Sequence, residues 1–285
     1  MTEYNDCFWS SLDGLKLHYR EYPGREDRPP VICLPGLTRN ARDFENLAEH
    51  LSGEWRVLCP EMRGRGDSEY AKDPATYNPL KYVEDIGAFL SETGIERFVS
   101  IGTSLGALMT LALGMIMPDR IAAAVLNDAG PVIEPEGLER ISSYVGQARN
   151  FPTWMHAARA LEETQGIAYP DYEIADWLAL AKRLMVLNSN GRVVFDYDMK
   201  LAEPFNESEP PAEADLWPGV SGLAGKPVLI LRGELSDILS NQTVQTMVER
   251  MPGAEAVTVP RVGHAPTLDE PEAVAAIDSL LARVA

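Results

Sequence analysis

Short apolar runs and longer amphipathic segments alternate along most of this chain. Two alternating runs flank Asp13-Gly14, and this dipeptide in such a setting is a strong signal for a β-hairpin. Farther along, short apolar runs such as 31–34 and 98–101 alternate with segments in which apolar residues have helical spacing. Strands that alternate with helices form a mostly parallel sheet covered on both faces. The pattern therefore predicts an α/β fold with a doubly wound, mostly parallel sheet.

The alternation stops between residues 131 and 218. This stretch is rich in aromatic residues, and its helix-like segments have no strand-like runs between them. An acidic, proline-bearing connector at 203–218 closes it, and the alternation of strands and helices then resumes. We interpret 131–218 as a helical cap inserted into one α/β core that comprises 1–130 and 219–285. The helix-like segments of the cap are 138–149, 153–163 and 172–187.

Composition fits one folded globular protein with a sizeable core. The chain has 285 residues, of which 45% are hydrophobic and 24% are charged. Its net charge is −18, and a strongly acidic surface repels nucleic acid and anionic membranes. The same charge disfavours highly anionic substrates unless a local arginine overrides it. We therefore expect a small-molecule substrate, and neither nucleic acid nor a membrane as a partner.

Targeting signals and disulfides are not expected. The first residues carry neither the basic nor the apolar segment of a signal peptide. The longest apolar stretch, 105–117, is shorter than the roughly 18 residues that suggest a membrane span. Cys7, Cys33 and Cys59 lack metal-binding spacing, and we interpret them as free thiols. We expect a cytoplasmic protein, and the sequence carries no signal for an oligomeric state.

The run Gly102-Thr103-Ser104-Leu105-Gly106 lies between a β-branched run and a helix-like run. A strand that turns directly into a helix at G-x-S-x-G forms a nucleophile elbow, which exposes the serine hydroxyl at the edge of the sheet. The two glycines let backbones approach where a β-carbon would collide. A small-residue turn that only packs a helix on a sheet gives the same pattern. The rest of the chain must therefore supply the chemistry that would make Ser104 a nucleophile.

A serine hydroxyl is a weak nucleophile and needs a histidine base that is oriented by a carboxylate. The chain has four histidines, and His264 lies in a loop after the last strand, where α/β sheets carry functional residues. We therefore predict His264 as the base. Asp237 follows the strand at 228–231 and gives the chain order Ser, Asp, His, so we predict it as the acid. Glu234 and Asp128 are alternatives.

These motifs, with the Arg-Gly-Arg-Gly-Asp-Ser run at 63–68, resemble the α/β-hydrolase fold superfamily, in particular its serine esterases and lactonases. The resemblance covers most of the chain outside 131–218. It implies Ser104 as nucleophile, His264 as base and then acid, and Asp237 as the residue that orients the imidazole. Haloalkane dehalogenases and epoxide hydrolases of this fold use an aspartate at the elbow, so Ser104 excludes their ester intermediate.

An oxyanion must be stabilised by two backbone donors. Leu105 supplies the first, because the residue after the nucleophile lies at a helix N-terminus, where N–H groups are unpaired. By resemblance, the second donor is Leu37. Pro35-Gly36 stands where the family usually has His-Gly. We therefore expect the Leu37 donor without the side chain that commonly braces its loop.

The cap of such an enzyme roofs the pocket and largely sets the choice of substrate. We predict that five cap residues line the pocket, namely Tyr144, Phe151, Trp154, His156 and Trp177. Arg39, beside the oxyanion loop, is predicted to contact a polar group. The large apolar side chains among them would equally serve to pack cap helices on the core.

The predicted activity needs no metal and no cofactor, because the sequence has neither zinc-ligand spacing nor a G-x-G-x-x-G run after a strand. We predict a serine hydrolase that cleaves a small or medium-sized carboxylic ester or lactone through an acyl-enzyme. One alternative is a carbon–carbon bond hydrolase acting on a β-diketone or vinylogous ketone, which shares the triad and the cap. Another is a non-catalytic small-molecule receptor on the same fold. The physiological substrate does not follow from the sequence.

Overall fold

The predicted hairpin forms one end of an eight-stranded sheet. The computed structural model describes residues 3–205 and 215–284. The hairpin turns at Gly14, whose φ of +87° lies in the left-handed region that glycine adopts without strain. In chain order the strands are β1 Asn5–Ser10, β2 Lys16–Tyr22, β3 Val31–Leu34, β4 Val57–Pro60, β5 Phe98–Thr103, β6 Ile121–Asn127, β7 Asn150–Phe151, β8 Met185–Leu187, β9 Val193–Phe195, β10 Val228–Gly233 and β11 Glu255–Val259.

The order of strands across the large sheet is β1-β2-β4-β3-β5-β6-β10-β11. β2 pairs antiparallel with β1 and with β4, and every other neighbouring pair is parallel. The prediction of a mostly parallel α/β sheet is therefore confirmed. Because parallel strands end at the same edge, the loops after β3, β5, β6, β10 and β11 meet there.

From β3 onward, helices alternate along the chain with the strands of the large sheet. The first of them is preceded by a 3₁₀ turn, Ala41–Phe44, which Asn40 caps by accepting the backbone N–H of Arg42. None of the described helices combines the length and the apolar character that crossing a bilayer requires. The α-helices are α1 Glu45–Leu51, α2 Pro79–Glu92, α3 Leu105–Ile116, α4 Pro135–Tyr144, α5 Trp154–Gln165, α6 Ile174–Leu184, α7 Trp217–Gly222, α8 Asn241–Arg250 and α9 Pro271–Leu281.

Helices cover both faces of the large sheet. Along β10, Val228 and Ile230 belong to one buried apolar cluster, whereas Leu229 and Leu231 belong to another. This division follows from strand geometry, because successive side chains point to opposite faces. Helices α2, α3 and α8 contribute to the first cluster, and α1 and α9 contribute to the second.

The segment between β6 and β10 contains α4, α5 and α6, and also a small antiparallel sheet with the order β7-β9-β8. The expectation of an all-helical segment is wrong in this respect, because strands of two or three residues are too short to show alternation. The helix predicted at 172–187 ends at Leu184, since the backbone is extended from Met185. The boundaries of the cap stay a prediction, and much of the connector at 203–218 lies outside the described residues.

We expect Gly106→Ala to destabilise the protein. A β-carbon at Gly106 would lie 2.0 Å from the carbonyl oxygen of Leu34, so β3 and α3 would have to move apart. The free energy of unfolding, measured by urea denaturation, should fall by roughly 1–3 kcal/mol. The matched control is Gly87→Ala inside α2, where no atom lies within 4 Å of the new carbon. This control should gain about 1 kcal/mol from helix propensity. Equal stability of Gly106→Ala and the wild type would contradict the close approach.

Candidate active site

Ser104 occupies a strained turn between β5 and α3. Its backbone has φ of 53° and ψ of −114°, a left-handed conformation that costs free energy for a residue with a side chain. The turn is so tight that a β-carbon at Gly102 would lie 2.3 Å from the carbonyl oxygen of Gly106. The backbone N–H of Ser104 donates to the carbonyl oxygen of Asn127 at the end of β6, 2.9 Å away. These features are those of the predicted elbow.

His264 lies in the loop that follows β11 and faces the serine. Its Nε2 is 2.8 Å from Oγ of Ser104, and its Nδ1 is 2.8 Å from Oδ2 of Asp128. The carboxylate accepts from Nδ1–H, which leaves Nε2 with a lone pair for the serine proton. The His264 side chain is 8% exposed, and Asp128 is fully buried. A continuous hydrogen-bonded chain therefore runs from the hydroxyl to a buried carboxylate.

Asp128 is held in place by three donors. Besides His264, its Oδ2 accepts the hydroxyl proton of Ser236 at 2.7 Å, and its Oδ1 accepts the backbone N–H of Gly233 at 2.9 Å. The residue follows β6 directly and has φ of 56°. A buried carboxylate is costly unless hydrogen bonds satisfy it, and these bonds meet that requirement. They also fix the direction in which the carboxylate faces the imidazole.

The prediction that Asp237 orients the imidazole disagrees with this geometry. Both carboxylate oxygens of Asp237 accept from Arg140 on α4, at 2.5 and 2.7 Å. Burial by itself would raise the pKa of Asp237, but the hydrogen bonds from Arg140 bring that pKa below its ordinary value. Glu234, one of the two alternatives for the acid, accepts the backbone N–H of Arg261. Asp128, the remaining alternative, is the carboxylate that contacts His264.

Asn127 connects the elbow to the histidine loop. Its side-chain amide donates to Oγ1 of Thr103 at 3.0 Å and to the carbonyl oxygen of Pro266 at 2.9 Å. The hydroxyl of Tyr169 holds the same loop by donating to the carbonyl oxygen of Ala265 at 2.7 Å. Neither Asn127 nor Tyr169 is among the predicted site residues. Both side chains donate to backbone carbonyls of the histidine loop, and contacts of this kind leave no motif in the sequence.

The loop with Leu37 lies against the elbow. A β-carbon at Gly36 would be 3.7 Å from Cβ of Ser104. Within residues 3–205 and 215–284, no acceptor hydrogen-bonds to the backbone N–H of Leu37 or of Leu105. Two unpaired donors near a serine hydroxyl are what an oxyanion hole requires. Their role stays a prediction.

Arg65 braces this loop in the absence of the family's usual histidine. Its Nε donates to the carbonyl oxygen of Leu37 at 2.8 Å, and its Nη2 donates to the hydroxyl of Tyr82 at 3.0 Å. The guanidinium also lies over the Tyr82 ring, 4.6 Å from the centroid, and the arginine is fully buried. The backbone carbonyl of Leu37 is therefore held by Arg65, although Pro35 provides no side-chain hydrogen bond to the loop.

A cavity opens above Ser104 and His264, and it separates the predicted cap residues into two groups. Arg39, Tyr144 and Phe151 line it. Trp154, His156 and Trp177 do not, which corrects that part of the prediction. Trp177 is buried in the core, where it packs edge-on against Tyr169 and Tyr172. His156 is exposed and bonds to Thr153 at the start of α5, and Trp154 packs partly buried against the second apolar cluster.

Several cavity residues have no counterpart among the predicted ones. They are charged, polar or aromatic, and most come from the segment between β6 and β10. Arginines on a predicted helix or loop are normally exposed to solvent. An arginine in the sequence therefore does not indicate that it lines a cavity. The main additions are Arg140, Gln147, Arg149, Arg183 and Phe195.

A group of ligand-type side chains, His18, Glu61 and Asp67, has its ligand atoms within 4.8 Å of one another. The ligand atoms of His18 and Glu61 are already engaged: Glu61 bonds to Nδ1 of His18 and accepts the backbone N–H groups of Asp67 and Ala41, and Asp6 bonds to Nε2 of His18. Burial by itself would lower the pKa of His18, but the bonds to Glu61 and Asp6 raise it above its ordinary value. We interpret the group as a structural ion pair, and the expectation of no metal stays a prediction.

The sheet and its serine elbow define a hydrolase, and comparison with known proteins agrees. The chain belongs to the alpha/beta hydrolase family, whose family model matches residues 31–277. A 3-hydroxybutyrate-oligomer hydrolase from Cupriavidus necator is 34% identical, over 91% of this chain and 90% of that protein. A 2-(acetamidomethylene)succinate hydrolase from Mesorhizobium japonicum is 25% identical, over 83% and 81%.

A solved structure shows the same likeness over the whole chain. The crystal structure of an alpha/beta hydrolase from Novosphingobium aromaticivorans is 64% identical, with a TM-score of 0.96 and full coverage of both chains. The predicted superfamily, the fold and the prediction of an enzyme with hydrolase activity are confirmed. The alternative of a non-catalytic receptor is therefore set aside.

We expect Asp128→Asn to reduce kcat far more than Asp237→Asn. An asparagine at position 128 removes the charge that orients and stabilises the imidazolium, and a loss of about 10³- to 10⁴-fold follows from the same change in other Ser-His-Asp sites. Asp237→Asn removes an ion pair that does not contact His264. The measurement is kcat on p-nitrophenyl butyrate, with circular dichroism as a check on folding. An equal or larger loss in Asp237→Asn would contradict the assignment.

We expect Arg65→Lys to lower kcat by roughly 10²-fold with little change in KM. A lysine keeps the charge but loses the planar fork that holds the Leu37 carbonyl, so the oxyanion loop shifts. Arg63→Lys is the matched control, because Arg63 is equally buried but pairs with Asp13 and Asp85, away from that loop. Both variants lose stability, and equal losses of kcat in the two would show that Arg65 has no special effect on the loop.

Proposed function

We propose that this hydrolase cleaves a small or medium-sized carboxylic ester, or a lactone, through an acyl-enzyme on Ser104. The observation that carries the proposal is the hydrogen-bonded chain from Ser104 through His264 to Asp128, with 2.8 Å at each step. Such a chain activates a serine hydroxyl without a metal or cofactor.

The reaction begins when Oγ of Ser104 attacks the ester carbonyl carbon while Nε2 of His264 takes the hydroxyl proton. The negative charge passes to the carbonyl oxygen, where the N–H groups of Leu37 and Leu105 stabilise it. The bond to the alcohol oxygen then breaks, and the imidazolium gives its proton to the departing alkoxide. Asp128 stabilises the imidazolium in both steps and keeps Nδ1 protonated.

Deacylation repeats these steps with water. Nε2 of His264 removes a proton from a water molecule, whose oxygen attacks the acyl carbon. When the intermediate collapses, the bond to Oγ breaks and the imidazolium returns its proton to Ser104. The products are a carboxylic acid and an alcohol, and the enzyme regains its starting state.

The relatives support an ester substrate. The Cupriavidus protein is named for oligomers of 3-hydroxybutyrate, and hydroxy acids join through ester bonds. The Mesorhizobium protein is named for 2-(acetamidomethylene)succinate, a compound without an ester bond. The carbon–carbon alternative uses the same three side chains. We place it second, because the more similar relative is named for an oligoester.

The test uses p-nitrophenyl esters of graded acyl length with the wild type and Ser104→Ala. We expect turnover of short esters by the wild type, a loss of at least about 10³-fold in Ser104→Ala, and labelling of Ser104 by a fluorophosphonate probe. A β-diketone assayed in parallel separates the two kinds of bond. Faster cleavage of the β-diketone would favour the carbon–carbon alternative. The absence of both turnover and labelling would refute both reactions.

A further inference from the structure

The charge of the cavity is opposite to the charge of the protein. The chain carries a net charge of −18, yet among the described residues four arginines and one aspartate line the cavity over Ser104. Low-dielectric walls concentrate the field of charges that line a cleft, so this local positive charge acts on whatever enters. The sequence-based expectation against anionic substrates allowed for a local arginine, and the cavity has more than one.

Three of the four arginines are already neutralised. Arg39 bonds to Asp43 through Nε and Nη2, at 2.5 and 2.8 Å. Arg140 makes two bonds to Asp237, as described above, and Arg183 donates to Asp269 at 2.6 Å. Each pair holds its guanidinium with a carboxylate of the same chain. These three arginines shape the field but have no uncompensated charge to offer a ligand.

Arg149 is different, because it has no hydrogen-bond or ion-pair partner anywhere in 3–205 and 215–284. It is exposed and lines the cavity from the segment between α4 and β7. Its backbone is fixed at one side, since the next residue, Asn150, pairs with Val194 of β9. The rings of Phe151 and Phe195, also in the cavity wall, pack edge-on with centroids 6.5 Å apart. The unpaired guanidinium and this pair of rings therefore line the same cavity.

We propose that Arg149 binds a carboxylate of the substrate, so that the enzyme acts on esters that carry a free carboxylate away from the scissile bond. The guanidinium matches a carboxylate with two parallel N–H donors, and such charge-assisted pairs are about twice as strong as neutral hydrogen bonds. Ser104 lies at the sheet edge and Arg149 on the segment between β6 and β10. A substrate that spans the cavity then presents its ester to Ser104 and its carboxylate to Arg149. This inference rests on the proposed ester hydrolysis.

The test compares two esters of the same shape and different charge, 3-butyryloxybutanoic acid and 3-butyryloxybutanamide. A second pair, ethyl hydrogen adipate and ethyl adipamate, places the carboxyl group on the acyl side. We expect the wild type to favour the acid over the amide by about tenfold or more in kcat/KM for at least one pair. Arg149→Gln should bring that ratio close to one by raising KM for the acid, and Arg149→Lys should keep part of the preference.

Arg159→Gln is the matched control. Arg159 lies on α5, is exposed, pairs with Glu162 and does not line the cavity, so its loss removes the same charge from the same segment. It should leave the acid-to-amide ratio at the wild-type value. A wild type without preference, a preference that Arg149→Gln leaves intact, or an equal loss in Arg159→Gln would overturn the inference.

The outcome separates this inference from the proposed function. If the enzyme hydrolyses p-nitrophenyl butyrate and shows no preference for the acid in either pair, ester hydrolysis stands and the carboxylate site is wrong. If it hydrolyses none of them, the proposed function is wrong. The site is then tested by binding of 3-butyryloxybutanoic acid to Ser104→Ala, measured by calorimetry. The double variant with Ser104→Ala and Arg149→Gln should bind this acid about tenfold more weakly. Unchanged binding would refute the carboxylate site.

Discussion

A single buried carboxylate holds the site together. Asp128 joins the end of β6 to the end of β10 through the backbone of Gly233 and the hydroxyl of Ser236, and it joins both strands to His264. A fully buried charge must be satisfied, so each of these contacts stabilises the others. The imidazole is positioned because the strand ends are positioned, and its contact with Ser104 depends on the same three bonds.

Local signals were enough to predict the turn at Ser104 and the histidine that contacts it. Gly102 and Gly106 are required by close backbone contacts, and such contacts are encoded within the motif itself. His264 could be found because it follows the last strand of a recognisable alternation. The choice among three carboxylates after strands could not be made in the same way. It depends on Arg140, which α4 places beside Asp237, and thus on the packing of a segment whose position the sequence pattern does not give.

The segment between β6 and β10 was predicted least well, for related reasons. Its helices have clear periodicity, whereas the strands β7 to β9 are too short for a pattern. Trp177 satisfies the description of a substrate contact and of a core residue equally well, and packing against two tyrosines made it core. Side chains that line a cavity differ from side chains that fill one only in their neighbours, which composition does not reveal.

The most direct test of the site is the Nδ1 proton of His264, observed by low-field proton NMR. A proton held between an imidazole and a buried carboxylate exchanges slowly enough to give a distinct signal, and loss of this signal in His264→Gln would assign it. The hydrogen bond to Asp128 predicts that the signal persists in Asp237→Asn and is lost or strongly shifted in Asp128→Asn. A signal that survives in Asp128→Asn and disappears in Asp237→Asn would contradict the role of Asp128.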